Sequence, residues 1–158
     1  MLFDYDEIIP GRLCVGTFVR PEDVRHLEDI GTTCIVSLQT DDDLAACGVS
    51  LGDVLRACRG AGIEHRRVST PGFDRAALAV KLPLCVAEVE AAIAPKSARV
   101  YLHCTAGINR SPTTAAAFLI RSRGYTAQEA YVYVVSRRDC EPYLEILERY
   151  ERILKGIL

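Results

Sequence analysis

The stretch VYLHCTAGINRSPTTAAAFLI, residues 100–120, joins an apolar strand to a helix through a short loop that contains a glycine. The apolar run ends at Cys104, and Arg110 follows as the sixth residue after it. Ser111 and Pro112 predict a helix start, with the serine as N-cap and the proline at the first helical position. In α/β folds, ligands bind beyond the carboxyl ends of strands, where helix N-termini present free N–H groups. Cys104 is therefore expected to lie beside a bound anion.

The chemistry of this loop points to phosphate. A loop of this length can wrap one tetrahedral anion with successive backbone N–H groups, and Gly107 lets the backbone turn without a Cβ in the way. The same donors favour the thiolate of Cys104, which is the nucleophilic form. Arg110 can hold two phosphate oxygens in a planar fork, and Ser111 can donate its hydroxyl proton to the sulfur. The predicted phosphate-binding residues are Thr105, Ala106, Gly107, Ile108, Asn109 and Ser111, with Cys104 and Arg110 as catalytic residues.

The other cysteines are interpreted as core residues. Seven cysteines form an odd set without a CxxC pair, and most lie in apolar stretches, where a thiol acts as a small hydrophobic group. We expect neither a disulfide framework nor a metal site, and no cofactor. Cys14 stands six residues before Arg20, the same spacing as in the loop, but it lies inside a strand and is predicted to be core. His103 is consistent with either a core histidine or a residue that tunes the thiol.

The amino-acid composition is typical of a globular protein. The 158 residues carry a net charge of −2 and favour one domain over residues 1–158, with a monomer as the expected state. The chain has no surplus of basic residues that would indicate a nucleic-acid partner. No apolar run approaches the roughly 20 residues of a membrane span. The N-terminal stretch is acidic and has only a short apolar run, so it is not expected to be a secretory signal. We expect a reducing compartment, either the cytoplasm or, after removal of a transit peptide, a plastid.

Strands alternate with helices along the chain. This pattern predicts an α/β fold with a central, mostly parallel sheet flanked by helices. A turn region with solvent-facing aspartates is expected at 40–50. Strands are predicted at 11–17, 32–38, 63–69 and 98–103, and helices at 21–31, 50–62, 76–94, 112–123, 126–136 and 141–155.

The segment HCTAGINRS resembles the signature of the dual-specificity cysteine phosphatases: His-Cys, five residues, Arg, then Ser or Thr. This resemblance implies the fold of that family and a metal-independent hydrolysis through a phosphocysteine at Cys104. Within the family, four segments are most similar to the glucan phosphatases, the laforin and plant starch-excess group. They are RPEDVRHLEDIG, SLQTDDDLAACGV, GFDRAALAVKLP and SRRDCEPYLEILERY. The likeness implies a phosphorylated glucan as substrate and Phe73 as a glucan-stacking aromatic; a phosphoprotein is the alternative substrate.

Two departures from the glucan phosphatases keep other functions open. Asn109 stands where they usually carry glycine, and cysteine-type RNA 5′-triphosphatases place asparagine there. Those enzymes, however, usually have histidine at the position of Ala106.

The general acid of the family is an aspartate on a loop before the cysteine, and the matching position holds Gly72. Asp74 is the only carboxylate in STPGFDRAAL, so it is the predicted acid, with a helix N-cap as its alternative role.

The missing acid also admits an enzyme that cleaves only good leaving groups, or a phosphate-binding module with vestigial activity. The intact cysteine, arginine and serine of the loop argue against the binding module, because a pure binder needs no thiolate. The chain has no tryptophan and four phenylalanines, so it offers little surface for stacking on sugars. Grip on an insoluble glucan is therefore expected from the rim of the active site or from a region outside this chain.

Overall fold

A single mixed sheet organises the computed structural model, which describes residues 1–157. Its five strands are β1 (Tyr5–Ile9), β2 (Leu13–Gly16), β3 (Cys34–Ser37), β4 (Glu64–Arg67) and β5 (Val100–His103). Their order is β1-β2-β5-β3-β4; β1 pairs antiparallel with β2, and the other neighbours are parallel. The predicted mostly parallel sheet is confirmed. The edge strand β1 was not predicted.

Helices occupy most of the remaining chain within the described residues. A 3₁₀ turn at Pro21–Asp23 leads into α1, and the last helix ends at Leu154. Within residues 1–157, no helix combines the length and the apolar character that a membrane crossing requires. The helices are α1 (Val24–Asp29), α2 (Asp41–Cys47), α3 (Leu51–Ala61), α4 (Arg75–Ile93), α5 (Arg110–Arg123), α6 (Ala127–Arg137) and α7 (Leu144–Leu154).

Helix α2 corrects the turn region expected at 40–50. Thr40 Oγ1 accepts a hydrogen bond from the Asp43 backbone N–H (3.1 Å), and the Asp43 carboxylate accepts one from the Thr40 N–H (2.9 Å). This reciprocal pair is a capping box, which starts a helix by satisfying two of its free donors. Three aspartates in the first turn add a favourable interaction with the helix dipole, and Gly48, at a φ of 68°, ends the helix.

Helix α5 begins two residues earlier than predicted. Its N-cap is Asn109, whose carbonyl accepts the first helical hydrogen bond, from Thr113 N at 3.0 Å. The assignment of Ser111 as N-cap was therefore wrong, and Ser111 lies fully buried in the first turn. The earlier start places Arg110 on the helix, directly after the loop.

Alternation along the strands divides the core into two layers. Val100 and Leu102 of β5 face the larger cluster, which includes buried residues of α4, α5, α6 and α7. Tyr101 faces the opposite side and packs with residues of α1 and α3. The parallel strands β2, β3, β4 and β5 end at the same edge of the sheet, and the loop with Cys104 leaves β5 there.

Candidate active site

The loop from Cys104 to Asn109 connects the end of β5 to the start of α5 and forms the floor of a cavity of about 330 Å³. The segment at 72–73 and the first turn of α2 form other parts of its wall. Four of the six predicted phosphate-binding residues line this space together with Cys104 and Arg110, namely Thr105, Ala106, Ile108 and Asn109, whereas Gly107 and Ser111 are not part of its lining. The lining residues are Met1, Asp43, Gly72, Phe73, Cys104, Thr105, Ala106, Ile108, Asn109 and Arg110.

The sulfur of Cys104 lies at the base of this site. The residue is only 3% exposed, and its Sγ lies 3.2 Å from the hydroxyl oxygen of Ser111. The serine is buried in the first turn of α5, so its position relative to the sulfur is set by the helix. From this position the hydroxyl can donate its proton to the thiolate, as the sequence predicts.

Three hydrogen bonds orient the buried guanidinium of Arg110. Its Nη1 donates to the Asp43 carboxylate (2.7 Å) and to the Thr70 carbonyl (2.8 Å), and its Nη2 donates to Thr105 Oγ1 (3.3 Å). Thr105 Oγ1 also accepts a hydrogen bond from the side-chain amide of the buried Gln39 (3.0 Å). Because Nη1 is held by two acceptors, the Nε–Nη2 edge is the one that can face a phosphate.

Asp43 is a site residue that the sequence did not reveal. It was expected to face solvent, but its side chain is only 22% exposed and pairs with Arg110. Burial acts to raise the pKa of the Asp43 carboxyl, yet hydrogen bonds from Arg110 and Thr40 outweigh it and hold the pKa below its usual range. Asp43 is therefore ionised at neutral pH. The capping box could have been found from the pattern T-x-x-D, but the pairing with Arg110 could not.

His103, the last residue of β5, forms a hydrogen bond with the backbone of the residue that follows it. Its Nδ1 lies 2.8 Å from the Cys104 carbonyl oxygen, and the residue is 2% exposed. Burial is the main cause that lowers the pKa of His103 to about 4. The neutral ring therefore donates its Nδ1 proton to the carbonyl. Nε2 is buried, and no residue within 1–157 forms a hydrogen bond with it.

The segment from Gly72 to Asp74 crosses the mouth of the site. Phe73 is 94% exposed and has a φ of 57°, which is rare for a residue other than glycine. Asp74 is exposed, and its Oδ1 accepts a hydrogen bond from the Ala77 backbone N–H at 2.9 Å. In this arrangement Asp74 is the N-cap of α4, and its side chain does not line the cavity. Its role as general acid stays a prediction.

The comparison with known proteins agrees with this geometry. Residues 34–151 match the model of the family described as "Dual specificity phosphatase, catalytic domain". This match covers more than half of the chain, so the chain belongs to that family. It is a dual-specificity-type phosphatase domain.

Two plant proteins are similar to this chain in sequence, and one solved structure is similar to it in fold. The chain is 32% identical to "Phosphoglucan phosphatase DSP4, amyloplastic" of Castanea sativa, across 92% of this chain and 39% of the relative. It is 27% identical to "Phosphoglucan phosphatase LSF1, chloroplastic" of Arabidopsis thaliana, across 85% of this chain and 23% of the relative. The chain thus spans well under half of the length of both. A crystal structure of PTPMT1 in complex with PI(5)P shares the fold, with a TM-score of 0.80, 21% identity and coverage of 96% of this chain and 97% of that one.

Proposed function

We propose that this domain hydrolyses phosphomonoesters through a phosphocysteine at Cys104, and that its substrate is a phosphorylated glucan. The main support for the substrate is that the two plant relatives, both named phosphoglucan phosphatases, align with 92% and 85% of the chain. The main support for the chemistry is the position of Cys104 beneath the loop, with Ser111 and Arg110 beside it.

In the first step the thiolate of Cys104 attacks the phosphorus, a bond from sulfur to phosphorus forms, and the bond to the leaving oxygen breaks. The transferring phosphoryl is planar and negatively charged, so positioning and electrostatic stabilisation do most of the work. The Nε–Nη2 edge of Arg110 can bind two of its oxygens, because Nη2 has a second N–H besides the one that it donates to Thr105. An alkoxide leaving group must also receive a proton, and Asp74 is the proposed donor after a rearrangement of the segment 72–74.

In the second step water attacks the phosphocysteine, inorganic phosphate leaves, and the sulfur departs as a thiolate. The Ser111 hydroxyl, 3.2 Å from Sγ, can stabilise that thiolate by donating a hydrogen bond. The step needs no metal, because the loop and Arg110 supply the positive field around the phosphoryl.

Phe73 supports a glucan as substrate. Its ring stands 94% exposed at the wall of the cavity, where a sugar ring linked to the bound phosphate would lie. An exposed aromatic ring at the wall of the cavity can cover one face of a sugar ring with a large apolar area. The names of the two relatives place those proteins in plastids. A reducing compartment of this kind agrees with the seven free thiols.

The test is a comparison of kcat/KM for four substrates: phosphorylated amylopectin, a phosphotyrosine peptide, a 5′-triphosphorylated RNA and an aryl phosphate. We expect Phe73→Ala to lower kcat/KM for amylopectin and leave that for the aryl phosphate unchanged. Leu84→Ala is the matched control, since Leu84 is an equally apolar and 61% exposed residue that does not line the cavity. Higher kcat/KM for the peptide or the RNA than for amylopectin would replace the glucan with that substrate.

A further inference from the structure

The carbonyl groups of the phosphate-binding loop all have partners on its outer side. The Thr105 carbonyl accepts a hydrogen bond from Phe18 N (3.0 Å), and the Ile108 carbonyl accepts one from Glu141 N (2.8 Å). Between them, one side chain holds two successive carbonyls: Arg138 donates from Nε to Gly107 O (2.8 Å) and from Nη2 to Ala106 O (3.3 Å). The chain contains no cis peptide within the described residues. In a trans peptide the carbonyl and the following N–H point in opposite directions, so outward carbonyls direct the N–H groups of residues 106–109 inward.

The guanidinium of Arg138 is buried and anchored. The residue is 4% exposed and lies directly after α6. Its Nη1 contacts the Asp6 carboxylate at 2.9 Å, and its Nη2 contacts the Asp4 carboxylate at 3.1 Å. Both aspartates come from the edge of the sheet at β1, far from the loop along the chain. Arg138 therefore bridges the edge of the sheet at β1 to the back of the loop.

Gly107 shows how closely the loop is packed against these partners. Its φ is 68°, and a Cβ at this position would lie 2.6 Å from Gly16 O and 2.9 Å from Arg138 Nη2. The loop is thus enclosed between the end of β2 and the guanidinium. The peptide planes on either side of Gly107 have little freedom to rotate while Arg138 is in place.

We propose that Arg138 is a positioning residue of the active site: it sets the direction of the loop N–H groups that bind the phosphoryl oxygens. Arginine suits this role because its five donors can bind two successive carbonyls and two carboxylates at once, whereas the ammonium of lysine has only three donors. Without the fork, the peptides between residues 106 and 108 can rotate, and at least one N–H turns away from the anion. This inference rests on the proposed phosphatase reaction, whose anion site Arg138 completes without contacting substrate.

The test is direct binding of tungstate, a tetrahedral oxyanion that binds without turnover, measured by calorimetry. We expect Arg138→Met to weaken tungstate binding about tenfold or more, the loss of one hydrogen bond to a charged group. Arg137→Met is the matched control, because Arg137 precedes it in sequence, is exposed and packs over the Tyr133 ring. The control should bind tungstate as the wild type does. Circular dichroism must first show that each variant is fully folded at the temperature of the titration, because a reversibly unfolded fraction would itself weaken the apparent affinity.

Arg138→Lys decides the case if Arg138→Met does not fold. It keeps the charge between the aspartates but cannot hold both carbonyls, so tungstate binding should still weaken several-fold. Unchanged binding by a folded Arg138→Met or Arg138→Lys variant would overturn the inference and leave the proposed function intact. A wild-type protein that does not bind tungstate would overturn both.

Discussion

Gly72 lies directly against the guanidinium of Arg110. A Cβ at residue 72 would be 3.1 Å from both Cζ and Nη2 of the arginine, closer than ordinary van der Waals contact. The segment that crosses the mouth of the cavity thus approaches this guanidinium as closely as its backbone allows. Any side chain at 72 would begin in contact with this guanidinium.

We expect Gly72→Ala to lower kcat/KM for an aryl phosphate by about 2- to 10-fold, since small displacements of a positioning group are costly. Arg110 is held by three hydrogen bonds and can move only by loosening them. Gly60→Ala is the control, because a Cβ at Gly60 meets nothing within 4 Å. If wild type and Gly72→Ala have the same kcat/KM, the guanidinium of Arg110 can move aside without loss of activity.

The role of Asp74 can be separated from helix capping by Asp74→Asn. Asparagine caps a helix as well as aspartate does, so stability should be retained, whereas Asp74→Ala should cost about 1 kcal/mol. If Asp74 donates the proton, Asp74→Asn should slow hydrolysis of a phosphoglucan far more than that of an aryl phosphate, since a nitrophenolate leaves without a proton. If Asp74→Asn lowers kcat/KM by the same factor on both substrates, Asp74 acts only as the N-cap of α4. That result would also favour a substrate with a good leaving group.

Cys104→Ser should abolish release of phosphate from an aryl phosphate while tungstate binding persists. The nucleophile is removed, but the loop amides and Arg110 that hold the anion remain. Cys14→Ser is the control, because Cys14 is buried in β2 and its sulfur accepts from Arg99 at 3.6 Å, away from the loop. That variant should change stability and leave the catalytic rate of the folded protein as it was. Turnover by Cys104→Ser near the wild-type rate would refute the assignment of the nucleophile.

Arg110→Lys keeps the charge and loses the planar fork. Lysine cannot satisfy Asp43, Thr70 and the phosphate together, so the loss should appear mainly in kcat, as two oxygens must be held while the phosphoryl flattens. Steady-state kinetics on an aryl phosphate measure it. An unchanged kcat would mean that the fork does not act in the transition state.

Burial of His103 predicts a loss of stability in acid. Burial lowers the pKa of His103 from 6.5 to about 4 in the folded state, so between these values the unfolded chain binds more protons. The free energy of unfolding should therefore fall as the pH drops from 6.5 to 4, with a contribution of about 3 kcal/mol from this residue. His103→Asn removes the titration but can keep an N–H donor toward the Cys104 carbonyl. Urea denaturation at several pH values should show a shallower acid slope for this variant than for His26→Asn, which alters a histidine at the surface.

The central loop, the order of most elements and the class of fold follow from the sequence because their causes are local. Apolar β-branched runs form strands in any context that buries them, and the spacing from Cys104 to Arg110 determines which backbone donors can surround one anion. Helix α2 was missed because three aspartates resemble a solvated turn, whereas the box between Thr40 and Asp43 makes them a helix start. The early start of α5 was missed because Ser111 and Pro112 are a strong start signal by themselves.

The supporting partners of the loop depend on the tertiary structure alone. Asp43 reaches Arg110 across 67 positions of sequence, and Asp6 reaches Arg138 across 132, since β3 and β2 both flank β5 in the sheet. No pattern along the sequence predicts which of its many charged residues form ion pairs with each other. The sequence by itself therefore determined that Cys104 and Arg110 flank one loop between a buried strand and a helix, because that order of elements is encoded locally. Strand order decided which charges hold the loop in shape, because only the assembled sheet brings those residues within hydrogen-bonding distance.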